Sequence, residues 1–144
     1  MKVHVVDTSA LIRMFVPDGP VPDGLTEAVE AALAGAEGLM APEMLLAETA
    51  HVLLRKEKNG LLTRAEVEEI LGLVADMPLD LVSHRPLLPG GVELARKHGL
   101  SVYDALFLEL ASVHCSSGCF FTADERLERA FRGMRNGRPR SRRS

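Results

Sequence analysis

The sequence predicts an α/β fold, a short central parallel sheet flanked by helices on both faces. Three observations predict it. Short apolar runs at 3–6, 38–41, 79–83 and 119–121 alternate with stretches of helical periodicity. That alternation is the pattern of parallel strands buried under helices. Asp7 closes the first run and Asp124 lies just past the last. Right-handed crossovers bring parallel strand ends to one edge, the edge where open α/β sheets bind ligands.

Each element has its own signature. Val3-His4-Val5-Val6 is β-branched and short, as a buried strand is. Asp7-Thr8-Ser9 ends it and starts a helix expected through Phe15. Pro17, Gly19, Pro20 and Pro22 mark a loop. Leu25, Ala28, Val29, Ala32 and Leu33 form one face of a helix reaching about Ala36. Gly38 to Ala41 is the second strand. Pro42 suits a first helical turn, which places a helix from there to Lys58, before Asn59-Gly60. Thr63 and Glu66 form a capping box for a helix to about Ala75. Leu79 to Ser83 is the third strand. A helix from about Pro89 to Lys97 is closed by Gly99. Ser101 caps the next helix, with Asp104 at its third position, and Ser116-Ser117-Gly118 turns into Cys119-Phe120-Phe121. Thr122 and Glu125 read as cap and third position of the last helix.

The 144 residues are long enough for one domain with a real core. The reading divides them into a folded unit at 1–133 and a basic, disordered tail at 134–144. The charge is unevenly placed. Six arginines and no acid fall in 132–144, which leaves residues 1–131 at −9 against −3 for the whole chain. The opening apolar run is short and contains Asp7, unlike a signal peptide, and no run approaches the roughly 20 residues of a membrane helix. Cys115 and Cys119 with His114 fall one ligand short of a structural zinc, so both cysteines are expected as small buried residues. The five histidines are spread over different elements and are expected in core or surface roles. Phosphate-binding glycine loops are absent, and Tyr103, the one tyrosine in a chain without Trp, makes a sparse stacking platform.

The chemistry lies in four carboxylates. Asp7, Asp104 and Asp124 each have a plain alternative as helix-start acids. Glu48 is harder to explain so. It shares a stripe with Leu45 and Val52 in the middle of the expected helix, and an ionised acid buried without a partner costs on the order of several kcal/mol. Acids converging on one place would repel, unless the missing partner is Mg²⁺ or Mn²⁺, hard ions that take oxygen ligands. Such a site can activate water and stabilise charge on a phosphoryl oxygen.

At these residues the chain resembles a known family. VVDTSAL at 5–11, the helix with Glu48, LSVYDALFLELA at 100–111 and FTADERL at 121–127 look like the PIN domain, especially the VapC-type toxin nucleases of prokaryotic toxin–antitoxin pairs. The resemblance covers nearly the whole chain. It implies that Asp7, Glu48, Asp104 and Asp124 are the catalytic and metal-binding quartet, with hydroxyls at Ser9 and Thr122 orienting ligands or water. It implies cytoplasmic, Mg²⁺- or Mn²⁺-dependent endonucleolytic cleavage of RNA, homodimerisation, and inhibition by a cognate antitoxin. The tail lies outside the family pattern; its Arg135, Arg138, Arg140, Arg142 and Arg143 are candidate RNA contacts. Two rival classes stand beside this reading. A phosphatase or phosphoacceptor domain built on Asp7 would want a further acid or lysine near the strand end, which DTSA does not supply. A catalytically silent PIN-like module that binds RNA or protein would not need all four acids.

Overall fold

In the computed structural model, β1 (Val3–Val6) runs through the middle of a four-stranded, wholly parallel sheet of order β3-β2-β1-β4. The structure describes residues 1–137. Thr8–Arg13 (α1) and Leu25–Leu33 (α2) lead from β1 to β2 (Gly38–Pro42). Leu45–Lys58 (α3) and Arg64–Ala75 (α4) lead on to β3 (Asp80–Val82). A 3₁₀ turn at Arg85–Leu87, then Leu88–His98 (α5) and Val102–His114 (α6), carry the chain back across the sheet to β4 (Phe120–Phe121). Glu125–Gly137 (α7) follows.

Alternation along the strands builds two cores. Val6, Leu39, Ala41 and Phe121 face a cluster with Leu11 of α1, Leu25 of α2, Leu53 of α3 and Val67 and Ile70 of α4. Val5 faces the other cluster, with Leu106, Leu108 and Leu110 of α6 and Leu127 and Phe131 of α7. The sheet is thus covered on both faces, as expected. Register is set by pairs such as Val5 with Met40 and Phe120, and Met40 with Asp80. Gly118 lets the chain enter β4, because a Cβ there would stand 1.9 Å from the Val3 carbonyl oxygen. Buried His4 ties the same corner together. Its Nδ1 accepts from the Cys119 N–H at 2.9 Å and its Nε2 meets Glu37 Oε1 at 2.7 Å.

Several expectations need correction. Pro42 ends β2, paired with Val82, instead of opening a helix; α3 starts at Leu45. α1 and α2 stop short of Phe15 and Ala36. Cys115 is buried, but Cys119 is exposed. The last helix is capped by Asp124, whose Oδ1 accepts from Arg126 N at 2.8 Å, and Thr122 instead accepts from Asp124 N at 3.0 Å. The expected boundary after 133 falls inside α7. Met134 packs on the second core, and Arg135 donates to the Gly118 and Ser116 carbonyls at 3.2 Å each. Arg138, Arg140, Arg142 and Arg143 lie outside the described residues. The capping box of Thr63 and Glu66 and the left-handed Gly99 closure are both present. Among the described residues no helix is long and apolar enough to cross a membrane.

Candidate active site

The strand order reverses at β1. Its crossover leads to β2 on one side, and β4 lies on the other. A cavity of about 790 Å³ opens beyond these carboxyl ends, lined by Asp7, Glu48, Asp104 and Asp124. Four different stretches of chain supply those carboxylates: the end of β1, the first turn of α3, the first turn of α6 and the cap of α7.

Asp7 is the most constrained. It is 4% exposed and caps α1, its Oδ1 accepting from Ala10 N at 2.9 Å and Ser9 Oγ at 2.7 Å. Its Oδ2 accepts from Thr122 Oγ1 at 2.5 Å. Ser9 Oγ also accepts from Ala123 N at 2.9 Å, so the two hydroxyls lock the end of β1 to the end of β4. Burial pushes the Asp7 carboxyl up to about 6, against the pull of the Thr122, Ala10 and Ser9 hydrogen bonds, and the charge of Asp104 adds to the rise.

Glu48 is half-buried and lies in the first turn of α3, not mid-helix as expected. The partner it lacked in the sequence reading is Thr8, whose Oγ1 donates to Oε1 at 2.8 Å. Burial raises its pKa, the Thr8 bond opposes this, and the Asp104 charge raises it further. Ser101 Oγ accepts from Asp104 N at 3.1 Å, which seats Asp104 at the top of α6. Burial raises the Asp104 pKa first and the charge of Asp124 second, while the Ser101 bond and the Arg126 charge lower it. Asp104 is therefore the acid whose charge acts on Asp7 and Glu48 and on which the charge of Asp124 acts.

Each of these acids also does the plain structural job that the sequence offered as an alternative. Asp7 and Asp124 cap helices, and Glu48 and Asp104 occupy first turns, where negative charge is favoured by the macrodipole. The two roles coexist because the helix starts converge on the same edge. Three further residues of the cavity wall were not assigned to the site from sequence. Thr8 is adjacent to Asp7 in the DTSA run. His51 follows Glu48 by three residues, about one helical turn, and its Nε2 accepts from Arg55 Nη2 at 3.0 Å. Tyr103 precedes Asp104 and is 63% exposed.

The donors are all oxygen, which suits Mg²⁺ or Mn²⁺. Among the described residues no three His, Cys, Asp or Glu side chains stand close enough to enclose an ion by themselves. The cavity therefore does not fit a closed cage such as structural zinc. It fits a hydrated Mg²⁺, which keeps several waters and needs only one or two carboxylates.

Comparison with known proteins decides the family. The PIN domain family pattern matches residues 4–132. The chain belongs to the PIN domain family. It is 30% identical over 129 residues to Ribonuclease VapC3 of Pyrobaculum aerophilum, covering 88% of this chain and 93% of that one. The fold is likewise similar to the crystal structure of PAE2754 from Pyrobaculum aerophilum, with a TM-score of 0.68 at 20% identity, over 92% of this chain and 81% of that one. Of the segments that carried the resemblance, DTSA contributes Asp7, Thr8 and Ser9 to the cavity wall, YDA contributes Tyr103 and Asp104, and TADERL contributes Asp124.

Proposed function

We propose that this protein is a divalent-cation-dependent endoribonuclease and the toxin of a toxin–antitoxin pair. One observation carries the reading: Asp7, Glu48, Asp104 and Asp124 line a single open cavity at the carboxyl edge of the sheet. Membership of the PIN domain family and the similarity to Ribonuclease VapC3 support RNA as the substrate.

When bound, Mg²⁺ or Mn²⁺ would act as a Lewis acid on the phosphoryl oxygens and lower the pKa of water. One or two of Asp7, Glu48 and Asp104 would hold the principal ion directly and the rest through its waters, and Asp124 would hold a second ion or the attacking water. The chain's own residues prepare that geometry. Ser9, Ala10 and Thr122 hold both oxygens of Asp7 in place, and Thr8 holds Glu48. Asp124 keeps Oδ1 on the α7 backbone, which leaves Oδ2 to face water. Tyr103, exposed beside Asp104, offers a face on which one base can stack. Water attacks phosphorus in line with the leaving 3′ oxygen, so the products carry a 5′-phosphate and a 3′-hydroxyl.

The same reading brings action in the cytoplasm, a homodimer and a cognate antitoxin. Exposed Leu46 and Leu54 on α3 and Leu73 on α4 supply apolar surface for protein partners. The spacing of the acids favours one alternative, a catalytically silent PIN-like module that binds RNA or protein. A cleavage assay on single-stranded RNA separates the two. The proposal expects cutting with Mg²⁺ or Mn²⁺ and none in EDTA. Cleavage undiminished by EDTA, or no cleavage with either ion, overturns it.

A further inference from the structure

The arginines of α7 are not alike. Arg132 is paired with Glu128, and Arg135 is spent on two carbonyls. Arg129 stands 4.0 Å from Glu125, with both side chains well exposed. No hydrogen bond or ion pair engages the Arg126 guanidinium among the described residues; its charge is felt at Asp104. Arg126 and Arg129 are three residues apart and so share a helix side. With His98, Leu100, Ala130 and Gly133 they line a second cavity of about 410 Å³. No acid lines it, although residues 1–131 carry −9. His98 closes α5 directly after Arg96 and Lys97, and its Nε2 is buried without a hydrogen-bond partner.

We infer that this cavity holds a backbone phosphate of the RNA strand, next to the phosphodiester presented to the four acids. The inference rests on the nuclease reading above and adds a binding subsite to it. Two physical needs meet here. An acid-lined cavity repels a polyanion, so the strand needs cationic contacts beside it. Guanidinium groups match phosphate with paired, charge-assisted hydrogen bonds. Arg126 on the wall of this cavity follows Asp124 on the wall of the other by two residues, so the two cavities lie side by side, as neighbouring phosphates of one strand require. Contacts of this kind position the strand without reading its sequence.

Binding of a labelled single-stranded RNA to the full chain in EDTA, measured across salt, tests the subsite apart from catalysis. Each lost phosphate contact should reduce the log–log salt slope by about 0.7. Arg126→Ala and Arg129→Ala should each show that loss, whereas Arg64→Ala, an exposed arginine of α4, should not. Gly133→Glu is the second probe. Gly133 is exposed and a Cβ there meets nothing within 4 Å, so a carboxylate can be placed at the cavity without crowding. It should weaken RNA binding about tenfold at low salt, and raise KM with little change in kcat. Unchanged slopes in both arginine variants, or an equal loss in Arg64→Ala, overturn the subsite. RNA cleavage by wild type with unchanged slopes would reject the subsite and keep the nuclease. Slope losses in a protein that never cuts would keep the subsite and reject the nuclease.

Discussion

Asp7→Asn, studied in EDTA, converts the electrostatics of the cavity into a stability measurement. The folded Asp7 carboxyl is held at about 6 instead of 3.8, chiefly by burial. The folded pKa lies above the unfolded one, so the stability linked to this group is complete below 3.8 and is lost as pH rises through about 6. Above that range the full difference applies, 1.36 kcal/mol per pKa unit, or about 3 kcal/mol. Asn removes that penalty at high pH. It keeps an oxygen for Ser9 and Ala10 but turns an amide toward Thr122, which costs roughly 1 kcal/mol. The net gain at pH 8 is then about 2 kcal/mol, or roughly 6–8 °C in melting temperature for a domain of this size. Near pH 4.5 the two effects cancel and the curves should meet, at roughly 1 kcal/mol each. Thermal melts of both proteins from pH 4.5 to 8 provide the readout. A variant that melts lower at pH 8, by the same margin as at pH 4.5, would refute the reasoning.

Two other substitutions test the scaffold. Gly118→Ala forces a Cβ to within 1.9 Å of the Val3 carbonyl oxygen, and because both sides are backbone the entry to β4 must move. Urea denaturation should report a loss of roughly 3 kcal/mol or more; a loss under 1 kcal/mol, on the order of a surface change, would contradict that close approach. Gly72→Ala sits on the exposed side of α4, where a Cβ meets nothing within 4 Å, and should stabilise by roughly 0.5–1 kcal/mol in the same assay. No gain would mean that α4 contributes little to the folded state.

The architecture was legible because its signals are local. Runs such as VHVV and CFF are too short and too apolar for anything but buried strands, and alternation with helices makes them parallel. Acids following strands end at one edge for the same reason. The order β3-β2-β1-β4 was not legible, since it depends on which side of β1 each crossover packs. Glu48 shows how a boundary changes a meaning. Its stripe with Leu45 and Val52 was visible, but Pro42 belongs to β2, so α3 starts three residues before Glu48. An acid that looked buried and unpartnered is a half-buried first-turn acid held by Thr8. TADE contains two side chains able to cap, and only the positions of β4 and α7 select Asp124. Repulsion within the quartet was anticipated, and it operates through Asp104, but burial is the larger cause of the raised pKa values. His51 had a readable signal in its spacing from Glu48. Arg126 had none, because the cavity wall it shares with His98 at the α5 terminus is assembled across the fold.

The central claim is that the four acids act as one divalent-cation site, and Asp104, which couples them, is the residue on which to test it. The measurement is a set of melting curves for wild type and Asp104→Asn, in EDTA and in Mg²⁺, with RNA cleavage followed on the same preparations. A ligand bound only by the folded state stabilises by RT ln(1 + [L]/Kd), about 2.7 kcal/mol at a hundredfold excess over Kd. Wild type should gain on that scale from Mg²⁺ and cut RNA. Asp104→Asn should be as stable as wild type or more so in EDTA, gain much less from Mg²⁺, and be nearly inactive. A variant that melts lower in EDTA, gains as much from Mg²⁺ as wild type and still cuts RNA would contradict the account.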